Sequence, residues 1–301
     1  MSEPAPTRAV CLFAHFSRGP RLSASVLHYL VQLKRCGLSV HVALSGMDRL
    51  ADEDREILDG LGIAAYPRAN QGLDFGAWQH LIRIGCTDRA DSVLLVNDSV
   101  FGPVSELAPI FAAMQARARD VWGMVESHEV SWHLQSWFIC LTAASMARPA
   151  IARVFDLPFS QMSKAEIILH GEIGLGTAIR AEGLSWEACL SDPRRGLRKL
   201  VAVNPMHVDW ICVLRSGRVP FVKVELLRDN PARIPWVGLW PKILRRYGAF
   251  PEHWIRERIA PVTGNGGGSL RMGVLYLLLT RDRMPALRAL LAACARRPTG
   301  R

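Results

Sequence analysis

No apolar run in this chain reaches the ~18–20 residues that a membrane-spanning helix needs. The opening stretch, MSEPAPTRAV, lacks the basic start and apolar middle of a secretory signal. The seven cysteines (Cys11, Cys36, Cys86, Cys140, Cys189, Cys212, Cys294) include no close pair. That argues against a disulfide framework and a thiolate metal site, and it fits a reducing cytoplasm. No G-x-G-x-x-G follows the first apolar run, where HFSRGP stands instead, so the dinucleotide fingerprint of a Rossmann oxidoreductase is missing. There is no internal repeat and no nucleic-acid-binding motif.

What is present is a chain of 301 residues, half of them apolar, with a net charge of +10. That length accommodates one large α/β domain or two small ones. The charge is uneven: residues 270–301 hold seven arginines against one aspartate, interleaved with leucine. An anionic membrane surface is a better partner for such a tail than nucleic acid.

Apolar runs alternate with helical patterns from the start. Strands are expected at Ala9 to Phe16, Leu38 to Leu44, Ile63 to Tyr66, near 92–96 and near 121–125. Helices are expected at 23–36, 52–61, 77–84 and 105–117, with Gly37 and Gly62 as stops. This is the βαβ rhythm of a doubly wound, mostly parallel sheet. Beyond residue 126 the rhythm weakens: one more strand at 137–141, a short helix between Pro149 and Pro158, a helical stretch at 164–182 broken near His170-Gly171, and a strand at 184–190. TGNGGGS, 263–269, reads as a linker. The expected organisation is a domain over 1–262, with halves at about 9–125 and 126–262, and a basic amphipathic tail over 270–301.

In an open α/β sheet, ligands bind beyond the carboxyl ends of the strands. Four polar clusters fall there: His15, Phe16 and Ser17; Arg68, Asn70, Gly72 and Asp74; Asn97, Asp98 and Ser99; and His128, Trp132, His133 and Gln135. Asp98 follows the unbroken apolar run Val93 to Val96. A carboxylate flanked by an amide and a hydroxyl suits Mg²⁺ or Mn²⁺ that also takes phosphate oxygens. The same triplet also reads as a plain turn and helix entry. Trp132 offers a ring face to a sugar, while Trp78 and Trp137 read as core.

NQGLDFGAW (70–78), VNDSVFGP (96–103), DVWGMVESHEVSWHLQSWF (120–138), GEIGLGTAIRAEG (171–183) and VNPMHVDWICVLRSGRVPFVKVELLRDNP (203–231) together resemble the signature blocks of the rhamnan synthesis protein F family. The resemblance spans about residues 9–235. It implies a GT-A-like fold and a glycosyltransferase of bacterial cell-surface polysaccharides such as O-antigen. The implied donor is a nucleoside-diphosphate sugar, often rhamnose, and the implied acceptor a lipid-linked or growing glycan. Where GT-A enzymes commonly carry D-x-D, this chain has Asn97-Asp98-Ser99, with one carboxylate. His207, after Asn204-Pro205, resembles their late histidine metal ligand; a loop histidine bonded to backbone is the other reading. Lys223 or Arg68 would neutralise diphosphate.

Inverting transfer needs a base for the acceptor proton. Glu172, in HGEIGLG, matches the acidic residue of its block and is the choice, read at a glycine-flanked helix start; a plain first-turn acid is the alternative. The donor set is then His15, Phe16, Ser17, Arg68, Asn70, Gly72, Asp74, Asn97, Ser99 and Lys223. The acceptor set is His128, Trp132, His133 and Gln135, and the metal set Asp98 and His207. A non-catalytic nucleotide-binding or scaffolding subunit of an assembly complex is the rival. The expected location is the cytoplasmic face of the plasma membrane, held by the tail. As an anchor, the tail would be removable without unfolding; as a packed helix pair, it would not.

Overall fold

A computed structural model describes residues 8–191, 203–248, 250–259 and 277–295. The linker 263–269 lies outside them. The chain divides into two compact units: Met1–Asp98 with Glu106–Ser191, and Ser99–Ser105 with Asp192–Arg301.

The first unit is an α/β sheet, with α2 (Asp52–Gly60) connecting its second and third strands. β1 (Ala9–Phe16), β2 (Ser39–Ser45), β3 (Ala64–Arg68) and β4 (Ser92–Asn97) are parallel, in the order β3-β2-β1-β4. The sheet continues through β8 (Phe138–Thr142) to β6 (Val121–Ser127). β8 runs antiparallel to both its neighbours. β9 (Trp186–Leu190) runs parallel to β6, and the short β7 (His133–Leu134) pairs with β6's last residues.

Both faces are covered, which is why the strands read as unbroken apolar runs. Phe13, Phe138 and Trp122 share one face. There Phe13 meets Tyr29 of α1 (Ala24–Arg35) edge to face at 5.4 Å, and Phe111 of α4 (Ala108–Gln115) meets Trp122 at the same distance. Leu12, Leu95 and Ile139 share the other, packed with Trp78 and Leu81 of α3 (Leu73–Arg83) and with the helices that follow β8. Trp78, fully buried, satisfies its indole by donating to the Val96 carbonyl at 3.1 Å.

The expected strand order along the chain is observed, with three differences. α3 begins at Leu73 rather than Ala77, because Gly72 supplies the left-handed turn (φ +73) that starts it. The stretch 164–181 is not broken: Lys164–Ile167 and Gly174–Ala181 are joined by a π turn, Ile168–Ile173. The expected halves at about 9–125 and 126–262 do not coincide with the two units, because β8 is inserted between β4 and β6 and ties both parts into one sheet.

The second unit is made of short pieces. β5 (Val100–Phe101) pairs antiparallel with β10 (Val222–Lys223). Around them lie Pro205–Val208, Trp210–Arg215, Val224–Arg228, Trp240–Leu244 and Glu252–Arg256, none longer than six residues. Trp210, Trp236, Trp240, Phe101 and Phe250 fill the core.

The described part of the C-terminal segment belongs to this core. Leu279 and Ala286 are buried. Asp282 accepts the N–H groups of Ile211 (3.1 Å) and Cys212 (2.7 Å), capping the helix Trp210–Arg215 from outside it. In return Asp209 accepts the Arg281 N–H at 2.6 Å, and the Thr280 hydroxyl donates to the Val208 carbonyl at 2.6 Å. Of the two readings of the tail, the packed one describes residues 279–286. The helix Arg283–Ala295 nevertheless turns Met284, Leu287 and Leu291 outward. Among the described residues, no helix is long and apolar enough to cross a membrane.

Candidate functional site at the carboxyl edge of the first unit

β1, β2, β3, β4 and β6 all end on one edge, and antiparallel β8 begins there. His15, last but one in β1, is buried. Its Nδ1 lies 2.8 Å from Asp98 Oδ2, and since a carboxylate only accepts, Nδ1 carries the proton. Its Nε2 is buried with no hydrogen-bond partner. Asn97 donates to Asp74 Oδ2 at 2.6 Å, and its own N–H reaches the Trp137 carbonyl at 3.3 Å. These bonds place the start of β8 beside the end of β4.

At the end of β1, Phe16 is 46% exposed and lies over Gly46, where a side chain would come within 2.9 Å of the ring. Arg68 donates to Ser45 Oγ (2.8 Å) and the Gln71 carbonyl (2.7 Å), with burial lowering its pKa. Its guanidinium therefore holds the 69–72 loop as well as facing the edge. Asn70 is exposed. Gly72 does not face open space: a Cβ there would sit 2.8 Å from the Phe159 Cβ, so the glycine answers a packing need.

Of the acceptor set, only His128 is partly exposed, with 23% of its side chain accessible. Trp132, His133 and Gln135 are buried. Trp132 is not an open sugar platform. Its ring lies 4.3 Å from that of Trp186, with the Arg180 guanidinium 4.6 Å above it. Gln135 accepts from the Trp137 indole at 2.8 Å. The His133 Nδ1 donates to the Ser131 carbonyl at 2.9 Å, leaving Nε2 4.0 Å from Glu172.

Glu172 lies inside the π turn, not at a helix start, so the helix dipole does not account for it. Its carboxylate accepts the Ser136 N–H at 2.7 Å. The turn is pressed into place by glycines: a Cβ on Gly171 would lie 2.9 Å from the Phe75 ring, and one on Gly176 2.8 Å from the Trp132 carbonyl. π turns recur at functional sites. Sequence reasoning passed over Glu126, a buried acid near the end of β6 that binds both His128 and Trp132. The signal was there in ESHE, where an acid stands two residues before a histidine.

Ser99, Lys223 and His207 belong to the second unit. The Ser99 carbonyl accepts the Val224 N–H at 2.9 Å. His207 is buried, its Nε2 is unpaired, and the Glu225 carboxylate stands 3.9 Å away. Burial, then Lys223, push its pKa down to about 4, against an upward pull from Glu225. The imidazole is neutral at pH 7, which is the ligating form.

Among the described residues, no group of three or more His, Cys, Asp or Glu side chains is arranged to hold a metal ion. In the first unit Asp98 offers the carboxylate. One carboxylate does not make a cage, but it fits a divalent ion that arrives on a diphosphate and keeps waters. A cavity of ≈ 660 Å³, lined by Arg8, Ser39, His41, Cys86 and Arg89 among others, opens at the opposite edge and contains none of the expected site residues.

A family model described as rhamnan synthesis protein F matches residues 42–247. Virulence protein VirA of Vibrio anguillarum is 27% identical over 203 residues, covering 56% of this chain. The chain spans 63% of that relative's own length. Among solved structures, core-mannan synthase A from Aspergillus fumigatus, in its Mn/GDP form, overlaps 58% of this chain and 71% of its own at 9% identity and a TM-score of 0.34.

Proposed function

The chain belongs to the rhamnan synthesis protein F family, and from that premise we propose that it is a GT-A-like glycosyltransferase of cell-surface polysaccharide assembly. The donor is a nucleoside-diphosphate sugar, rhamnose or a related deoxyhexose. The acceptor is a lipid-linked or growing glycan. The observation that carries the reading is that β1, β4, α3, β8 and the π turn bring the His15–Asp98 pair, the Asn97–Asp74 bond and the Ser136–Glu172 bond to one edge of one sheet.

Transfer divides into two tasks. An acceptor hydroxyl oxygen attacks the anomeric carbon, and the bond from that carbon to the diphosphate oxygen breaks. The hydroxyl proton passes to Glu172, and the sugar inverts. Asp98, oriented by His15, would hold Mg²⁺ or Mn²⁺, which supplies charge to the leaving diphosphate. Arg68 adds a fixed positive charge on the donor side. In the second unit, His207 offers an unpaired neutral nitrogen suited to a metal, and Lys223 a second cation for phosphate.

We also keep the bilayer as a partner. Met284, Leu287 and Leu291 lie on one stripe of a helix that carries Arg283 and Arg288, a pattern suited to an anionic interface. This would place the enzyme on the cytoplasmic face beside a lipid-linked acceptor. Sedimentation with phosphatidylglycerol vesicles tests it: Met284, Leu287 and Leu291 all changed to Gln should release the protein, and undiminished binding removes this face as the anchor.

The central test offers a panel of nucleotide sugars, with octyl glycosides as acceptors and Mn²⁺ present, to wild type and Asp98→Ala. Wild type should transfer from one donor, and the variant should lose ~10²–10³-fold with its fold intact. Donor binding without transfer would favour the non-catalytic subunit. No binding of any nucleotide would overturn the reading.

A further inference from the structure

Glu126 takes no part in holding the donor or in moving the acceptor's reacting proton. It is the penultimate residue of β6, on the same edge as Asp98, and 10% of its side chain is accessible. One oxygen, Oε1, takes two hydrogen bonds: from Trp132 Nε1 at 2.9 Å and from His128 Nε2 at 3.1 Å. A buried carboxylate costs free energy unless it is paired, so two donors on one oxygen mark a built arrangement.

The tautomer follows from the partners. Indole N–H can only donate, and an ionised carboxylate can only accept. His128 must therefore carry its proton on Nε2. In the neutral ring, Nδ1 is then an acceptor. Trp132 is packed against Trp186 and lies under the Arg180 guanidinium, contacts that hold its indole in place beside the carboxylate. The chain Trp132–Glu126–His128 thus runs from core to edge and ends on a partly exposed imidazole whose tautomer is fixed.

We infer that Glu126 is a positioning residue for the acceptor: it locks His128 as the Nε2–H tautomer so that Nδ1 accepts a hydrogen bond from a sugar hydroxyl. The ligand class is a glycan acceptor bearing a free hydroxyl beside the one that reacts. The inference rests on the glycosyltransferase reading for its ligand but not for its tautomer. It differs from the Glu172 assignment, which concerns the proton of the reacting hydroxyl. A histidine so fixed discriminates acceptors, since one lacking that hydroxyl leaves a polar nitrogen unpaired.

Two measurements test it. Two-bond ¹H–¹⁵N NMR spectra of the full chain at pH 8 should show His128 as the Nε2–H tautomer. An Nδ1–H tautomer overturns the proposal whether or not the protein is a transferase. In transfer to octyl glycosides, Glu126→Leu removes the acceptor oxygen and should raise the acceptor KM ~10-fold while changing the donor KM far less. Glu126→Gln retains a neutral oxygen and should recover most of the loss. The effect of Glu126→Leu should vanish in a His128→Ala background, as expected when one residue acts through another. Additive losses, or equal rises in both KM values, would make Glu126 a structural acid only. If Glu126→Leu does not fold, the wild-type tautomer decides the matter alone.

Discussion

The two units solve the same problem at different lengths. In the first, strands of five to eight residues and helices of up to twelve carry the main sheet and its cover. Each is long enough to bury one continuous face. In the second, two-residue strands and, before the thirteen-residue helix Arg283–Ala295, helices of four to six residues surround a core of tryptophans. Helices that short do not hold themselves together. They are held by side chains from elsewhere in the chain, above all by Asp209 and Asp282. Long elements are stabilised locally and then packed, whereas short ones depend on the caps that other segments bring.

The strongest way to break this contrast is to remove the caps. A chain ending at Gly268 lacks Leu279, Thr280, Asp282 and Ala286. Hydrogen exchange should show lost protection over 205–244, while amides of 9–16 and 92–97 stay protected. Protection that survives in the second unit would mean that the carboxylate caps contribute little.

Next in size is an effect on rate in the first unit. Glu172→Gln should lower transfer by ~10²–10⁴-fold. Nucleotide affinity, read by calorimetry, should remain near wild type. A collapse of donor binding would instead make Glu172 a donor ligand or a structural acid.

A smaller effect tests how tightly the first unit is packed around its π turn. Gly171→Ala presses a methyl into the Phe75 ring and should cost ~1–3 kcal/mol. Gly174→Ala, whose nearest neighbour would be 3.7 Å away, should be neutral or stabilising by up to ~1 kcal/mol, as alanine is in helices. Chemical denaturation distinguishes them, and equal costs would refute the close approach.

The smallest effect is a slope. His207 has a depressed pKa, about 4, so its contribution to stability is present above 6.5 and is lost as pH falls toward 4. Burial, the largest cause, raises Asp282 to about 6, so its contribution has the opposite sign and is lost as pH rises through 6. Between pH 4 and 6 the two oppose. Asp282→Asn should unmask a stability that climbs with pH by at most ~1.4 kcal/mol per unit. A flat profile in that variant would remove His207 from the balance.

The same division separates what could be read from the sequence and what could not. β1, β2 and β4 were legible because strands of six to eight residues buried on both faces leave mostly apolar runs, and α1 because one buried face over twelve residues leaves a helical period. The polar ends of those strands marked His15, Asn97 and Asp98, which the fold brings together with Asp74. What escaped was set by contacts distant in sequence. Glycine in GEIGLG looked like a helix breaker. Gly171 and Gly176 are instead close approaches to Phe75 and Trp132, which no local pattern announces. Trp132 looked like a platform because exposure is not written in residue type. In the second unit, caps supplied from about seventy residues away left no local trace at Trp210–Arg215.

The π turn has a further consequence. Each residue advances a helix by about 100°, and a π turn is one residue more than an α-helix needs. Deleting a single residue between Ile168 and Ile173 would leave a continuous helix of ordinary hydrogen bonding. Because the turn takes up its extra residue by widening, the helix beyond it would keep its phase, with Leu175 and Ile179 still in the core, and only the residues of the turn itself would be re-aimed. The direction of Glu172 is thus set by chain length as well as by residue type. One inserted or deleted codon at the turn would re-aim the acid without altering a single other site residue.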